Sequence, residues 1–141
     1  MRNFEDTMSG LKYYIILFSV LVVGCASVNE LSKMDKLEMT TDGYEVSIRW
    51  SDFEMAASFI KDKQDPGITT QLENLKQFNV TAYTVKTFVP SENKSQVLII
   101  ADIQYFKKNG LIVKNYSHRQ IWEYDEEKER WFLTSGLPKL D

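Results

Sequence analysis

"QVLIIADIQYFKKNGLIVKNYSHRQIWEY", residues 96–124, decides the fold. β-branched and aromatic side chains fill both halves, as strands require. Asn109-Gly110 lies between the halves, and Asn-Gly between two such runs signals a hairpin with a type I′ turn. Strands are predicted over 96–107 and 111–124. Folding about that turn pairs Lys108 with Leu111. Ile103 then faces Tyr116, Ala101 faces His118 and Ile99 faces Gln120, all on one side of the sheet. Asp102 faces Ser117 on the other side, with Arg119 diagonal to it as a cross-strand ion partner. The face that carries Val97, Ile99, Ala101, Ile103 and Trp122 is the more apolar, so it is predicted to meet the helices. A type I′ turn needs φ > 0 at both central residues. The pattern therefore predicts that a β-branched residue is costlier at Gly110 than at Gly136, which lies beside a tail, 137–141, expected to be loose.

Further strands flank this hairpin. Residues 80–89 form one, joined to it through Pro90-Ser91-Glu92-Asn93-Lys94. Residues 130–134 form the last, after the charged turn Asp125-Glu126-Glu127-Lys128-Glu129. Upstream the period changes. Phe53, Ala56, Ala57 and Ile60 recur at i, i+3, i+4 and i+7, one face of a helix predicted over 52–62. Ser51 and Glu54 have the spacing of a capping box at its start. Asp65-Pro66-Gly67 is a turn signal at its end. Leu72, Leu75 and Phe78 suggest one more short helical piece. Tyr44, Val46, Ile48 and Trp50 alternate as a strand would, but a helix broken near Trp50-Ser51 is the preferred reading. Helices first and a strand meander second make an α+β fold: N-terminal helices packed on a curved antiparallel sheet of about four strands.

"RWSDFEMAASFI" (49–60) resembles the helix pair of the nuclear-transport-factor-like, or cystatin-like, cone superfamily, and "WEYDEEKERWFL" (122–133) resembles its last two strands. The resemblance spans 44–135 and implies a cone-like sheet. That superfamily hosts isomerases, dehydratases, hydrolases and pure binding domains, so the fold alone does not fix the function.

The first 24 residues read differently. Arg2 and Lys12 are the only basic residues before Cys25, and residues 13–23 are uncharged and mostly apolar. That is a basic flank and an apolar core of secretory-signal length. It is shorter than the roughly 20 apolar residues that span a bilayer. The run ends Leu21-Val22-Val23-Gly24-Cys25, with the only cysteine of the chain. The residues leave open an ordinary signal, or an uncleaved anchor, with a chance cysteine. In order, however, they resemble the lipobox of bacterial lipoproteins, with Val22 where Leu is commoner. The resemblance implies a signal peptide over 1–24, cleavage after Gly24 and diacylglycerol on the Cys25 sulfur. The protein would then belong to the bacterial cell envelope, held to a membrane through its lipid. Ala26 after the cysteine implies the periplasmic face of the outer membrane in a Gram-negative cell. Residues 25–43 then read as a polar tether and 44–141 as a single domain.

Removing 1–24 takes away Arg2, Lys12, Glu5 and Asp6 and leaves 117 residues with 15 basic and 18 acidic side chains, a net charge still of −3. A chain of that size can bury a real core. With mild acidity and no basic block, nucleic acid is not an expected partner. A single cysteine allows no internal disulfide, and together with a single histidine it excludes the usual zinc spacings. No metal or other cofactor is expected, and there is no glycine-rich phosphate loop.

His118 is the one side chain with the chemistry of a general base near neutral pH. With Tyr116 and Gln120 on the same face it is a pocket candidate. Pockets of the cone superfamily usually pair His or Tyr with Asp, but the register puts Asp102 on the opposite face, so a structural histidine is the expectation and no catalytic residue is assigned. Tyr83, Tyr105, Tyr116, Trp122, Tyr124, Trp131 and Phe132 are dense for so small a domain, and most must be core. The reading that follows is a membrane-anchored envelope lipoprotein with a non-catalytic domain that binds an envelope protein or a small apolar ligand. The alternative is a cone-fold enzyme acting on a small apolar substrate.

Overall fold

The computed structural model describes residues 25–141, with side-chain surroundings from residue 33 onward. Gly24 and the signal-peptide reading of 1–24 lie outside the described residues, as does the side chain of Cys25. The chain divides into two compact units, residues 1–34 and 35–141. The first is described only by the helical backbone that begins at Cys25.

Helix α1 runs Cys25–Arg49. Leu37, Tyr44 and Ile48 are buried along one stripe, at about the spacing that keeps side chains on a single helix face. Leu37 is 1 % exposed and the unit starts at Asp35, so packing begins well before residue 44, where a tether had been expected to end. Gly43 does not stop the helix. A Cβ there would lie 3.2 Å from the Phe59 ring, so the missing side chain lets α1 approach that ring closely.

The break falls after Arg49, as expected, but its chemistry differs. Ser51 has φ of 58°, and its Oγ accepts the Val80 N–H at 2.8 Å. Asp52 caps the next helix, α2 (Phe53–Ala57), by accepting the Met55 N–H at 3.0 Å. The Ser51–Glu54 capping box is therefore replaced: Asp52 takes the orphan Met55 amide, and Glu54 turns out to Lys76, 3.5 Å away. The helix is shorter than predicted because beyond Ala57 the backbone tightens into i→i+3 turns, and Ile60 then bridges Leu133. Asp65-Pro66-Gly67 starts a helix rather than only turning the chain. Asp65 accepts the Gly67 N–H at 2.8 Å and Pro66 takes the first position of α3 (Pro66–Leu75), where its missing N–H costs nothing.

Four strands follow: β1 (Phe78–Pro90), β2 (Gln96–Lys107), β3 (Val113–Asp125) and β4 (Arg130–Leu133). They form one antiparallel sheet in the order β1-β2-β3-β4. This is the α+β meander read from the sequence. The β2–β3 register agrees residue for residue with the expected one: Ile103 opposite Tyr116, Ala101 opposite His118, Ile99 opposite Gln120 and Asp102 opposite Ser117. The turn itself does not. The β2–β3 ladder closes at Phe106–Val113 and β2 ends at Lys107, so the connection spans 108–112, and neither Asn109 nor Gly110 has positive φ. A wider loop carries the same register without a type I′ turn.

β1 carries two register shifts, at Val80/Ala82 and Val85/Thr87, which bend and twist that edge strand. The β4 edge is covered: Ile60 bridges Leu133, and the Leu133 N–H donates to the Phe59 carbonyl at 2.9 Å. The C-terminal tail is not loose. Leu137 and Leu140 are each 2 % exposed, Asn74 donates to the Leu140 carbonyl, and Tyr105 Oη donates to Asp141 Oδ1 at 2.9 Å.

Candidate functional site

The inner sheet face holds Val97, Ile99, Ala101, Ile103, Tyr105 and Trp122, all buried. This is the face predicted to meet the helices. His118 and Gln120 lie among them at 2 % and 0 % exposure, while Tyr116 is half-buried. All three candidates therefore point to the expected side. What each does there is set by partners from other elements.

His118 Nε2 lies 3.0 Å from Tyr44 Oη, a buried hydrogen bond between β3 and α1. Either the phenol donates to an unprotonated Nε2 or a protonated Nε2 donates to the phenol oxygen, and the ring is neutral in both. Burial drives its pKa from 6.5 down to about 4. Tyr44 also packs edge-on against Phe59 and Trp122, with centroids 5.8 Å and 5.3 Å away, and tilts over the His118 ring. Burial first, then the neighbouring Tyr83 and Tyr116, pushes the Tyr44 phenol well above its ordinary value. At pH 7 the imidazole is therefore uncharged and the phenol un-ionised, so the pair is a neutral buried hydrogen bond.

Gln120 is equally committed. Trp122 Nε1–H donates to its Oε1 at 3.0 Å, and its Nε2–H donates to Tyr83 Oη at 2.6 Å. The indole N–H fixes which end of the amide is oxygen. Burial raises the Tyr83 phenol to about 12. The buried polar atoms of this face are thus paired with one another, across β1, β3 and α1.

On the outer face, Asp102 lies 4.0 Å from Lys86 of β1. The expected partner was Arg119. The bulge that adds Lys86 to β1 places its ammonium over the carboxylate instead. No acid from this face reaches His118. A polar recess of about 380 Å³ lies at the β1–β2 turn, lined by Ser91, Asn93, Ser95, Gln96, Glu123 and Tyr124. None of Tyr116, His118 or Gln120 lines it. Within it, Asn93 Oδ1 accepts the Ser91 and Ser95 hydroxyls and the Ser95 N–H, and Glu123 Oε1 accepts from Gln96 Nε2. Among the described residues there is no group of three His, Cys, Asp or Glu side chains placed to hold a metal ion.

The partner that sequence reasoning missed is Tyr44. Its signal was present: Leu37, Tyr44 and Ile48 share a helical stripe, but the alternation Tyr44-Val46-Ile48-Trp50 masks it. Among the described residues, no helix is long and apolar enough to cross a membrane. No family model, no curated protein and no solved structure matches the chain.

Proposed function

We propose that this protein is a lipid-anchored lipoprotein of the bacterial cell envelope whose folded domain is a non-catalytic binding or interaction module. The observation that carries the anchor is the order of residues 13–25: an uncharged, mostly apolar run, a small residue at Gly24 and the only thiol at Cys25. A thiolate is the nucleophile that a thioether-forming transferase needs. Two acyl chains would hold the protein stably, at about 0.8 kcal/mol per buried methylene. The non-catalytic half of the reading is supported by the inner face, where the one histidine is sealed against Tyr44 without an acid.

Metabolic labelling with a fatty acid tests the anchor. The wild-type chain takes up label and loses residues 1–24, whereas Cys25→Ser remains unlabelled and uncleaved. Label that persists in Cys25→Ser overturns the reading. The second half is tested by pull-down from envelope extract: the mature domain and its His118→Gln variant should capture the same partner, and capture that requires His118, or no capture at all, counts against it.

A further inference from the structure

The β2–β3 connection carries an apolar tip that the fold does not use. Leu111 is 101 % exposed, Ile112 74 % and Val113 55 %. Three consecutive exposed aliphatic residues are not how a loop is normally built, since loop tips favour polar residues. The local sequence of this tip is one-signed. From Lys107 to Tyr116 the chain reads KKNGLIVKNY, with three lysines and no acid, in a protein whose net charge is −3. Lys114 is occupied by the C-terminus, 3.7 Å from Asp141 Oδ1 and 2.9 Å from its carbonyl oxygen. Lys107 and Lys108 stand exposed at the base of the loop.

We infer that this hairpin tip is a membrane-contacting element: Leu111, Ile112 and Val113 enter the interfacial region of a bilayer while Lys107 and Lys108 meet anionic headgroups. The occupant is chosen by charge complementarity. Exposed aliphatic side chains with two exposed ammonium groups at their base fit an apolar layer capped by phosphates. The loop is held rigidly enough to serve. The ladder runs unbroken from Gln96–Glu123 to Phe106–Val113, and the Lys108 N–H donates to the Gln77 carbonyl at 2.8 Å, tying the loop base to the entry of β1. The tip lies at the opposite end of the sheet from the 91–95 turn, so contact there would set the orientation of the domain on the surface. This inference takes its location from the anchored reading, but it concerns different residues and is tested without the lipid.

The experiment uses the full chain in a Cys25→Ser background, so that one introduced thiol is the only one. An environment-sensitive fluorophore is placed on Ile112→Cys, or on Asn93→Cys at the far turn. The probes are phosphatidylethanolamine–phosphatidylglycerol vesicles, with phosphatidylcholine vesicles for comparison. The expected result is blue-shifted emission at 112, quenched by nitroxide-bearing lipids, and water-like emission at 93. Each lysine near an anionic surface is worth roughly a fivefold preference. Lys107→Gln with Lys108→Gln should therefore lower the inserted-to-free ratio in anionic vesicles by about 25-fold, and leave phosphatidylcholine binding unchanged. Water-like emission at 112 in anionic vesicles overturns the inference and leaves the lipid on Cys25 untouched. Equal quenching at 93 and 112 overturns it as well, because that is adsorption without orientation.

Discussion

Tyr44 Oη and His118 Nε2 meet at 3.0 Å inside the core, across 74 positions of sequence. The bond ties α1 to the third strand and makes the only histidine a structural group. Its protonation then bears on stability. Burial lowers the folded-state pKa from 6.5 to about 4. Between those values the unfolded chain holds a proton on this ring that the native chain does not, so stability rises with pH across that window. It is complete above about 6.5, is lost as pH falls, and the loss stops near 4. The full span is about 3 kcal/mol. His118→Gln removes it. Urea midpoints of wild type and His118→Gln should therefore converge on acidification from pH 7 to 4, the wild type losing more. Parallel curves would mean that the ring is open to solvent.

Removing the partner acts differently. Tyr44→Phe keeps the ring packing against Phe59 and Trp122 but leaves His118 without its hydroxyl. An orphaned buried polar group costs about 1–3 kcal/mol. Equilibrium denaturation at pH 7 should show that loss. The double variant Tyr44→Phe with His118→Leu should recover some of it, because no polar atom is then stranded.

Gln120 offers an independent check on the same face. Gln120→Leu strands both the Trp122 indole N–H and the Tyr83 hydroxyl. A loss of roughly 2 kcal/mol or more is expected for so buried a pair. Gln120→Glu should make stability fall as pH rises, since a buried carboxyl resists ionisation. A variant as stable as wild type would show that water replaces the amide.

Much of this fold is legible in the sequence, for a physical reason. A period of two places every side chain of a strand once one pair is known; Asn109-Gly110 supplies the pair by centring the turn between Lys108 and Leu111, and the apolar side of 97, 99, 101 and 103 marks the inward face. Hence Ile99, Ala101 and Ile103 found their partners, and His118 and Gln120 their face. The local chemistry of turns is less legible, because several loop shapes serve one register. Asn109-Gly110 reads as type I′, yet pairing stops at Phe106–Val113 and leaves a wider loop between the strands. Ser51 reads as a cap, but its hydroxyl is claimed by Val80, 29 residues away. The Tyr44–His118 bond and the packing of Leu140 are long-range as well. Nothing local announces such contacts.

The glycines test the corrected turn. Gly136 has φ of +85° and open space where a Cβ would lie. A side chain there meets only backbone strain, of about 1–2 kcal/mol and more for a β-branched residue. Gly110 lies outside the positive-φ region, and a Cβ would sit 3.4 Å from the Lys107 carbonyl oxygen, an ordinary contact. Gly136→Val should lower the denaturation midpoint clearly, and Gly110→Val should change it little. The reverse order would restore a type I′ hairpin.

The C-terminal tail should behave as a core element. Leu140 is 2 % exposed, and its carbonyl accepts from Asn74 of α3. One residue on, Asp141 Oδ1 accepts from Tyr105 Oη at 2.9 Å. That hydrogen bond, and then the charge of Lys114, holds the Asp141 carboxyl below its usual range. The tail thus closes the inner face at the Tyr105 end of the sheet, opposite the end where Trp122 lies under Tyr44. Leu140→Ala removes a buried side chain and should cost about 2–4 kcal/mol. Asp141→Asn, at an exposed carboxylate, should cost far less, and Tyr105→Phe should match it if the hydroxyl serves only that contact. Thermal unfolding of the three variants separates packing from the hydrogen bond. Wild-type stability in Leu140→Ala would return the tail to the loose segment that its sequence suggests.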